Sequence, residues 1–445
     1  MYHSHSFKQL KYIGGVILIY EDVVERMLLL ELASLFLIGY MGIVFEGFLK
    51  INKSAVALIM GGMMWLFCFF HLGHGSSGEM ALELADTAQV IFFLFAAMAI
   101  IELIDAHKGF ELLVRCFRFS SGYSLLWLLI GISFFMSAAL DNLTSIIIIV
   151  SILKRLVKNR EDRWILGAVC VIAVNAGGAW TPLGDVTTTM LWINNKVSSW
   201  GIIKSLFFPS AICALVSGLV AQLFLKKRHI AMHDNVSKSD PQPGAYVILI
   251  LGIGSLLMVP VWKTCVGLPP FMGGLLGLGL VWLASDWLHH PHGESRSHLR
   301  VPYILTKIDI SSITFFIGIL MAVNALTYGK ILFSFSEFLD RLLPSRNYVA
   351  VVIGLVSSIL DNVPLVAATI GMYDLPTDHT LWKLIAYAAG TGGSILVIGS
   401  AAGVAYMGIE KVDFLWYFKK ISLVAILGYF GGLVTYFVLN GVLGL

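Results

Sequence analysis

SAALDNLT at residues 137–144 and SSILDNVP at 357–364 are one motif written twice, with Asp141-Asn142 answering Asp361-Asn362 at an offset of 220. Each polar pair interrupts an apolar run, where a charge at membrane depth costs several kcal/mol. A second echo follows at an offset of 215: Gly177-Gly178, five residues, then Gly184-Asp185, against Gly392-Gly393, five residues, then Gly399-Ser400. Shifting the chain by 220 also carries residue 27 to 247, 88 to 308 and 203 to 423, each close to the start of a later apolar run. Self-similarity of this kind marks repeated architecture. The sequence therefore reads as an N-terminal segment 1–26, a first half 27–225, a polar linker 226–244 (KKRHIAMHDNVSKSDPQPG) and a second half 245–445.

Composition says where such halves live. Of 445 residues, 58% are hydrophobic and 13% charged, and the mean hydropathy is +0.85. A soluble domain carries about 25% charged residues, so this chain cannot cover a water-facing surface. A net charge of +3 leaves no nucleic-acid footprint. Cys68, Cys116, Cys170, Cys213 and Cys265 form no CxxC pair and mostly sit in apolar runs, as reduced packing residues do. Soluble enzyme, secreted module and disordered chain are excluded. A polytopic membrane protein remains.

Crossing the hydrocarbon core takes about 20 apolar residues. Eight stretches qualify: 27–45, 55–72, 89–104, 203–225, 245–262, 271–287, 308–326 and 423–439. Two more, 164–193 and 381–407, are long, Gly-rich and interrupted; the short patch 13–20 falls below the needed length. Basic clusters favour the cytoplasm. That rule places Lys50 and Lys53; Lys108, Arg115 and Arg118; Lys154, Arg155, Lys158, Arg160 and Arg163; Lys226, Lys227 and Arg228; Arg296, Arg300 and Lys307; and Lys411, Lys419 and Lys420 inside. The acidic stretch 71–86 then faces out.

The stretch 122–157 has basic flanks at both ends. As one helix it would run roughly 54 Å, far beyond the bilayer. A hairpin that enters and leaves from one side satisfies both facts, provided its irregular backbone is buried in protein or lines a cavity. Its counterpart spans 348–373. Five crossings per half make the second half inverted, so the expected fold is all-α: two inverted repeats, each with about five transmembrane helices, a re-entrant hairpin (122–157, 348–373) and a broken helix (164–196, 381–408). Inverted repeats whose broken helices meet near the midplane are the architecture of secondary transporters.

The chemistry is that of oxygen ligands for a hard cation. Asp141, Asn142, Asp361 and Asn362 at the hairpin tips, with Ser137, Ser357 and Thr144, supply side-chain oxygens. Asn175 through Thr188 cannot run as a regular helix, because glycines loosen it and Pro182 removes a hydrogen bond. Carbonyls freed around Gly177, Gly178 and Gly184, and around Gly392, Gly393 and Gly399, become further ligands beside Asn175, Thr187, Thr188, Ser394 and Ser400. Asp185 adds a third buried carboxylate that Ser400 does not match, so the halves should handle ions unequally. Kept from water, a carboxylate resists ionising until a cation arrives. Glu46 and Glu102 near span ends read as interfacial, His289-His290-Pro-His292 as a solvated loop, His71 and His74 as outer-loop residues, and the aromatic residues as lipid-facing or interfacial.

At these motifs the chain resembles the NhaD-type sodium/proton antiporters of the ion transporter superfamily. The resemblance covers nearly everything after about residue 30. It rests on Asp141-Asn142-Leu-Thr144, NAGGAWTPLGDVTTTMLW (175–192), LDNVPLVAATIGMYDLP (360–376) and GTGGSILVIGSAAGVAYMGIEK (390–411). It implies exchange of cytoplasmic sodium, often lithium too, for external protons. It also implies important polar residues at Asp141, Asn142, Asn175, Asp185, Thr187, Thr188, Ser357, Asn362, Ser394 and Ser400. Distant dicarboxylate carriers of the superfamily place Ser where Asp141 and Asp361 stand, receiving negative charge from the substrate instead. Such antiporters usually carry an additional N-terminal hydrophobic segment, whereas 1–26 is short and mixed.

The expected mechanism is competition: sodium and protons contend for Asp141, Asp185 and Asp361 while hairpins and broken helices move past a scaffold. A sodium-coupled carrier of carboxylates on the same fold is the alternative. An intramembrane aspartyl protease would need Gly where Pro182 stands, so no enzyme is expected. No cofactor is expected beyond the transported ions Na+, Li+ and H+; the partners are the bilayer and, as an allowed assembly, a second copy in a homodimer. The expected location is the bacterial inner membrane, with an organellar envelope as the other possibility.

Overall fold

The computed structural model describes residues 16–44, 46–72, 76–110, 112, 122–225, 241–343 and 345–443. Among them the secondary structure is helical. Eighteen helices of seven or more residues are numbered here in chain order. The first three are α1 (Val16–Val44), α2 (Lys53–Leu72) and α3 (Ser76–Ala106). Then come α4 (Gly122–Ala139), α5 (Asn142–Leu156), α6 (Arg160–Ala179), α7 (Val186–Ile193) and α8 (Ser199–Leu225). After the linker follow α9 (Ala245–Val266), α10 (Pro270–His289), α11 (Ile310–Tyr328) and α12 (Ile331–Leu342). The chain ends with α13 (Arg346–Val356), α14 (Asn362–Met372), α15 (Thr380–Gly392), α16 (Ala401–Glu410), α17 (Phe414–Lys420) and α18 (Ser422–Leu443).

Among the described residues, seven helices are long and apolar enough to cross a membrane: Lys53–His71, Met80–Ala106, Ser199–Leu225, Ala245–Val266, Pro270–His289, Ile310–Tyr328 and Ser422–Gly441. These match seven of the eight expected spans. The eighth falls within α1, which begins at Val16 and so takes in part of the segment read as separate. The acidic stretch read as an outer loop is mostly helical too, forming the start of α3. Sequence periodicity also missed α12, whose Phe333, Phe335, Phe338 and Leu342 are exposed. Cys116, His74, Arg115, Arg118, Lys226, Lys227 and Arg228, with most of the linker, lie outside the described residues.

The chain forms two compact units, and they do not follow the sequence halves. The first takes Met1–Ala88 and Ile310–Phe338, the second Gln89–Asp309 and Leu339–Leu445. In the first unit α11, from the later half, packs on α2, from the earlier one. A Cβ on Gly61 would meet the Gly318 carbonyl, and one on Gly318 would collide with the backbone of Ala57. Small residues let membrane helices approach this closely. The Trp65 indole N–H donates to the Met321 carbonyl at 2.9 Å and the Ser54 hydroxyl to the Ser311 carbonyl at 2.7 Å. In the second unit the exchange is mirrored: α3, from the earlier half, packs on α9 and α10 through Gly252 and Gly274.

The second unit also holds four interrupted helices. The stretch 122–157 is broken at residues 140–141, where α4 gives way to α5. The stretch 164–193 divides into α6 and α7, and 381–407 into α15 and α16. Between α13 and α14 the chain turns at residues 357–361.

Candidate ion site

All four breaks end in the same way: a polar side chain caps the helix that follows. Asp141 Oδ1 accepts the Thr144 N–H at 2.7 Å, and its Oδ2 accepts the Thr144 hydroxyl at 2.8 Å. Asp361 Oδ1 accepts the Val363 N–H at 3.2 Å. Asp185 Oδ1 accepts the Thr187 N–H at 3.1 Å, and Ser400 Oγ the Gly403 N–H at 3.1 Å. Capping satisfies N–H groups that a helix start leaves open, and a carboxylate there also meets the positive end of the helix. Asp141 and Asp361 are half-buried; Asn142, Asp185, Asn362 and Ser400 are buried.

The glycines expected to loosen the helices instead let them touch. Gly177 and Gly178 lie inside α6 and Gly392 inside α15. A Cβ on Gly177 would strike the Phe134 carbonyl, and one on Gly392 the Gly354 carbonyl. On Gly178 it would come within 2.6 Å of the Gly184 carbonyl, and on Gly393 within 2.7 Å of the Gly399 carbonyl. Gly184 abuts the Ser137 carbonyl and Gly399 the Ser357 carbonyl. These carbonyl contacts recur between the halves at the sequence offsets. The first break is further tied by Thr181, whose hydroxyl donates to the Ala138 carbonyl at 2.6 Å, and by Thr189, whose hydroxyl donates to the Pro182 carbonyl at 2.8 Å.

The polar side chains cross between halves. Asn142 Nδ2 donates to Asn175 Oδ1 at 3.3 Å, and Asn175 Nδ2 donates to Ser394 Oγ at 2.8 Å and Ser400 Oγ at 2.9 Å. Asn362 Nδ2 donates to Asp185 Oδ2 at 3.4 Å. Each Asp-Asn motif thus reaches residues of the opposite half, directly at Asp185 and through Asn175 at Ser394 and Ser400. Asp185 lies within electrostatic reach of both Asp361 and Asp141. The hydroxyls of Ser137 and Thr188 are buried and meet no hydrogen-bond partner among the described residues, while the Thr187 side chain bears on Asp185. The Ser357 hydroxyl donates to the Ala389 carbonyl at 2.8 Å and the Thr144 hydroxyl to Asp141 Oδ2 at 2.8 Å, which leaves the lone pairs of both oxygens uncommitted by these bonds.

The three carboxylates are not gathered about one point. Among the described residues no group of three or more His, Cys, Asp or Glu could hold a metal ion. Any cation here must be held by a mixed set of carboxylate, amide, hydroxyl and carbonyl oxygens.

A family model described as a citrate transporter matches residues 40–390. Sodium/proton antiporter 2 of Arabidopsis thaliana is 45% identical over 421 residues, which is 91% of this chain and 98% of the relative. Sodium/proton antiporter 1 of the same plant is 45% identical over 91% of this chain and 71% of its own length. The Na(+)/H(+) antiporter NhaD of Halomonas elongata is 29% identical over 92% of this chain and 88% of the relative. The chain belongs to the NhaD family of sodium/proton antiporters. It is accordingly a multi-pass integral membrane protein and a transporter, not an enzyme.

Several residues that hold this NhaD-family chain together escaped the sequence. Arg163 Nε lies 3.3 Å from Glu410 Oε2, Trp164 Nε1 donates to the Glu410 carbonyl at 3.1 Å, and Lys154 Nζ donates to the Ile409 carbonyl at 3.0 Å. Basic residues read only as topology signals therefore also cap the C-terminus of α16, where cations are favoured. Lys263 donates to the Trp192 carbonyl at the end of α7 and stands 4.5 Å over its ring. The His-rich loop reading is corrected at His289. That side chain is fully buried, because His107 Nδ1 donates to the Leu103 carbonyl at 2.7 Å and leaves Nε2 to accept from His289 Nε2 at 2.8 Å. His71 is likewise engaged, with Glu31 Oε2 at 2.7 Å. No spacing rule signals such long-range pairs.

Proposed function

We propose that this protein exchanges sodium, and lithium as a smaller hard cation, for protons across an energised membrane, with both ions competing for Asp141, Asp185 and Asp361. Asn142, Asn175, Asn362, Thr187 and Thr188 line or position the ligands. The observation that carries the proposal is the buried Asp185, met by the Asn362 amide of the other half and by the backbone N–H and side chain of Thr187. Named sodium/proton antiporters that align over more than nine-tenths of the chain support it.

We read α4–α5 and α13–α14 as re-entrant hairpins of two inverted repeats. The recurrence of the same capping and close contacts at the two sequence offsets supports that reading. Alternating access then moves hairpins and broken helices together, since their polar side chains are bonded to one another. Facing inward the site loads sodium as protons leave; facing outward protons displace it.

The family model's description favours a second reading, sodium-coupled uptake of a carboxylate such as citrate. Asp141 and Asp361 oppose it, because each tip carries its own acidic group where a carboxylate substrate would otherwise bring the negative charge. Everted vesicles energised with a pH gradient decide. Sodium addition should dissipate the gradient, Asp185→Asn should abolish that response at equal protein level, and citrate should have no effect. Citrate-dependent sodium uptake with no gradient collapse would establish the carrier instead.

A further inference from the structure

We propose that the corner where α16 passes into α17 binds the phosphate headgroup of an anionic phospholipid, on the face that the basic clusters assign to the cytoplasm. Such a lipid partner is independent of which ion the protein carries.

The chain's own stop and start signals build the corner. Lys411 takes a left-handed φ of 51° and ends α16. Two residues on, Asp413 Oδ2 accepts the Trp416 N–H at 3.1 Å and opens α17. The span in α18 starts at Ser422, directly after α17, so α17 lies where the chain meets the membrane surface. The turn from α5 to α6 packs against this corner. Lys154 Nζ donates to the Ile409 carbonyl at 3.0 Å, and Arg160 Nη2 to the Lys411 carbonyl at 3.2 Å. The Arg160 guanidinium also stands 4.9 Å over the Trp164 ring, which meets the Trp416 ring edge-to-face at 5.1 Å.

Five cations mark the corner: Lys154, Arg160, Lys411, Lys419 and Lys420. All are exposed, and among the described residues none is ion-paired with a carboxylate. A bond to a carbonyl satisfies one N–H of Lys154 or Arg160 and leaves its charge without a counter-ion. The neighbouring acids have other duties. Glu410 faces Arg163, Asp413 caps α17, and Glu161 and Asp162 lie in the first turn of α6, where the helix's positive end favours them.

Beside this charge α17 presents Leu415 and Phe418, three residues apart on one helix face and both more than half exposed. The start of α18 adds exposed Leu423 and Leu427. A soluble anion would use the cations alone. A phospholipid uses both features, with phosphate oxygens at the lysines and guanidinium and acyl chains along the apolar side chains. Half-buried Trp164 and Trp416 complete the corner, as aromatic rings do at headgroup depth. Anionic headgroups are drawn to basic residues just outside a span.

The test follows thermal unfolding of the purified full-length protein in neutral detergent while phosphatidylglycerol, phosphatidylcholine or inorganic phosphate is added. Phosphatidylglycerol should raise Tm saturably, and the other two should leave it unchanged. The comparison protein carries Lys411→Asn, Lys419→Gln and Lys420→Gln. None of these lysine side chains donates a hydrogen bond among the described residues, and Asn tolerates the left-handed φ at 411. The variant should therefore match wild type without lipid, yet need about a hundredfold more phosphatidylglycerol for the same rise, at about fivefold per charge. Lys420→Gln alone, expected to need about fivefold more, decides if the triple variant is unstable. No rise with phosphatidylglycerol, or an equal rise with phosphatidylcholine, would overturn the proposal. A rise with inorganic phosphate alone would make this a free-anion site and overturn the lipid. An unshifted titration in the variants would overturn the location.

Discussion

Asn175→Ala is the substitution that should separate the halves most sharply. The side chain is fully buried and makes three hydrogen bonds, to Asn142 at 3.3 Å, Ser394 at 2.8 Å and Ser400 at 2.9 Å. Removing it strands an amide donor and two hydroxyl acceptors. An unsatisfied buried group costs about 1–3 kcal/mol. Both serine hydroxyls can rotate to other acceptors, and membrane-buried side-chain bonds average only about 0.6 kcal/mol in double-mutant cycles. The lower part of the range therefore applies, about 3 kcal/mol for the three together. With roughly 2 °C per kcal/mol in larger domains, Tm should fall by about 6 °C. The assay is fluorescence-detected thermal unfolding of detergent-solubilised protein. A Tm within about 2 °C of wild type would refute the crossed network as a structural link.

Other perturbations have definite outcomes. Arg163→Met leaves Glu410 buried and uncompensated, a loss of about 3–5 kcal/mol, and a further Glu410→Leu change should restore most of the lost Tm. Gly177→Ala and Gly392→Ala each drive a methyl into backbone, so folded yield by size-exclusion should collapse. Gly62→Ala and Gly408→Ala meet open space and should be tolerated. Burial is the largest effect holding the His107 imidazole below its usual value of 6.5, with His298 repulsion adding to it and the Leu103 bond opposing it. The lowered value means the folded protein favours the neutral ring. Its stabilising contribution is present above about pH 6.5 and is lost as pH falls. Wild-type Tm should therefore drop on acidification more steeply than that of His107→Gln, and parallel curves would contradict the assignment.

The sequence made the candidate ion-site residues legible because burying Asp141, Asp185 or Asp361 in an apolar run is expensive enough to demand a use. Repetition at the two offsets located the breaks, and each fell where Asp or Ser caps the next helix. Partners were not legible. Which half Asn175 bonds to depends on how two interrupted helices cross, and no local pattern encodes that. The glycines were read for flexibility when close approach to Phe134 and Gly354 is what they provide. His289 looked solvated because its neighbours in sequence are polar, yet its partner His107 is 182 residues away. Start positions failed where helices outran their apolar cores, as at Val16 and Ser76.

Rivalry between metal ion and hydrogen for the same carboxylates is read most directly from the sodium dependence of exchange at a series of pH values. If they compete, the apparent KM for sodium rises about tenfold for each unit of acidification below the site's titration, while the maximal rate at saturating sodium holds. A KM that stays constant across that range, with only the maximal rate changing, would mean that protons and sodium never share a site.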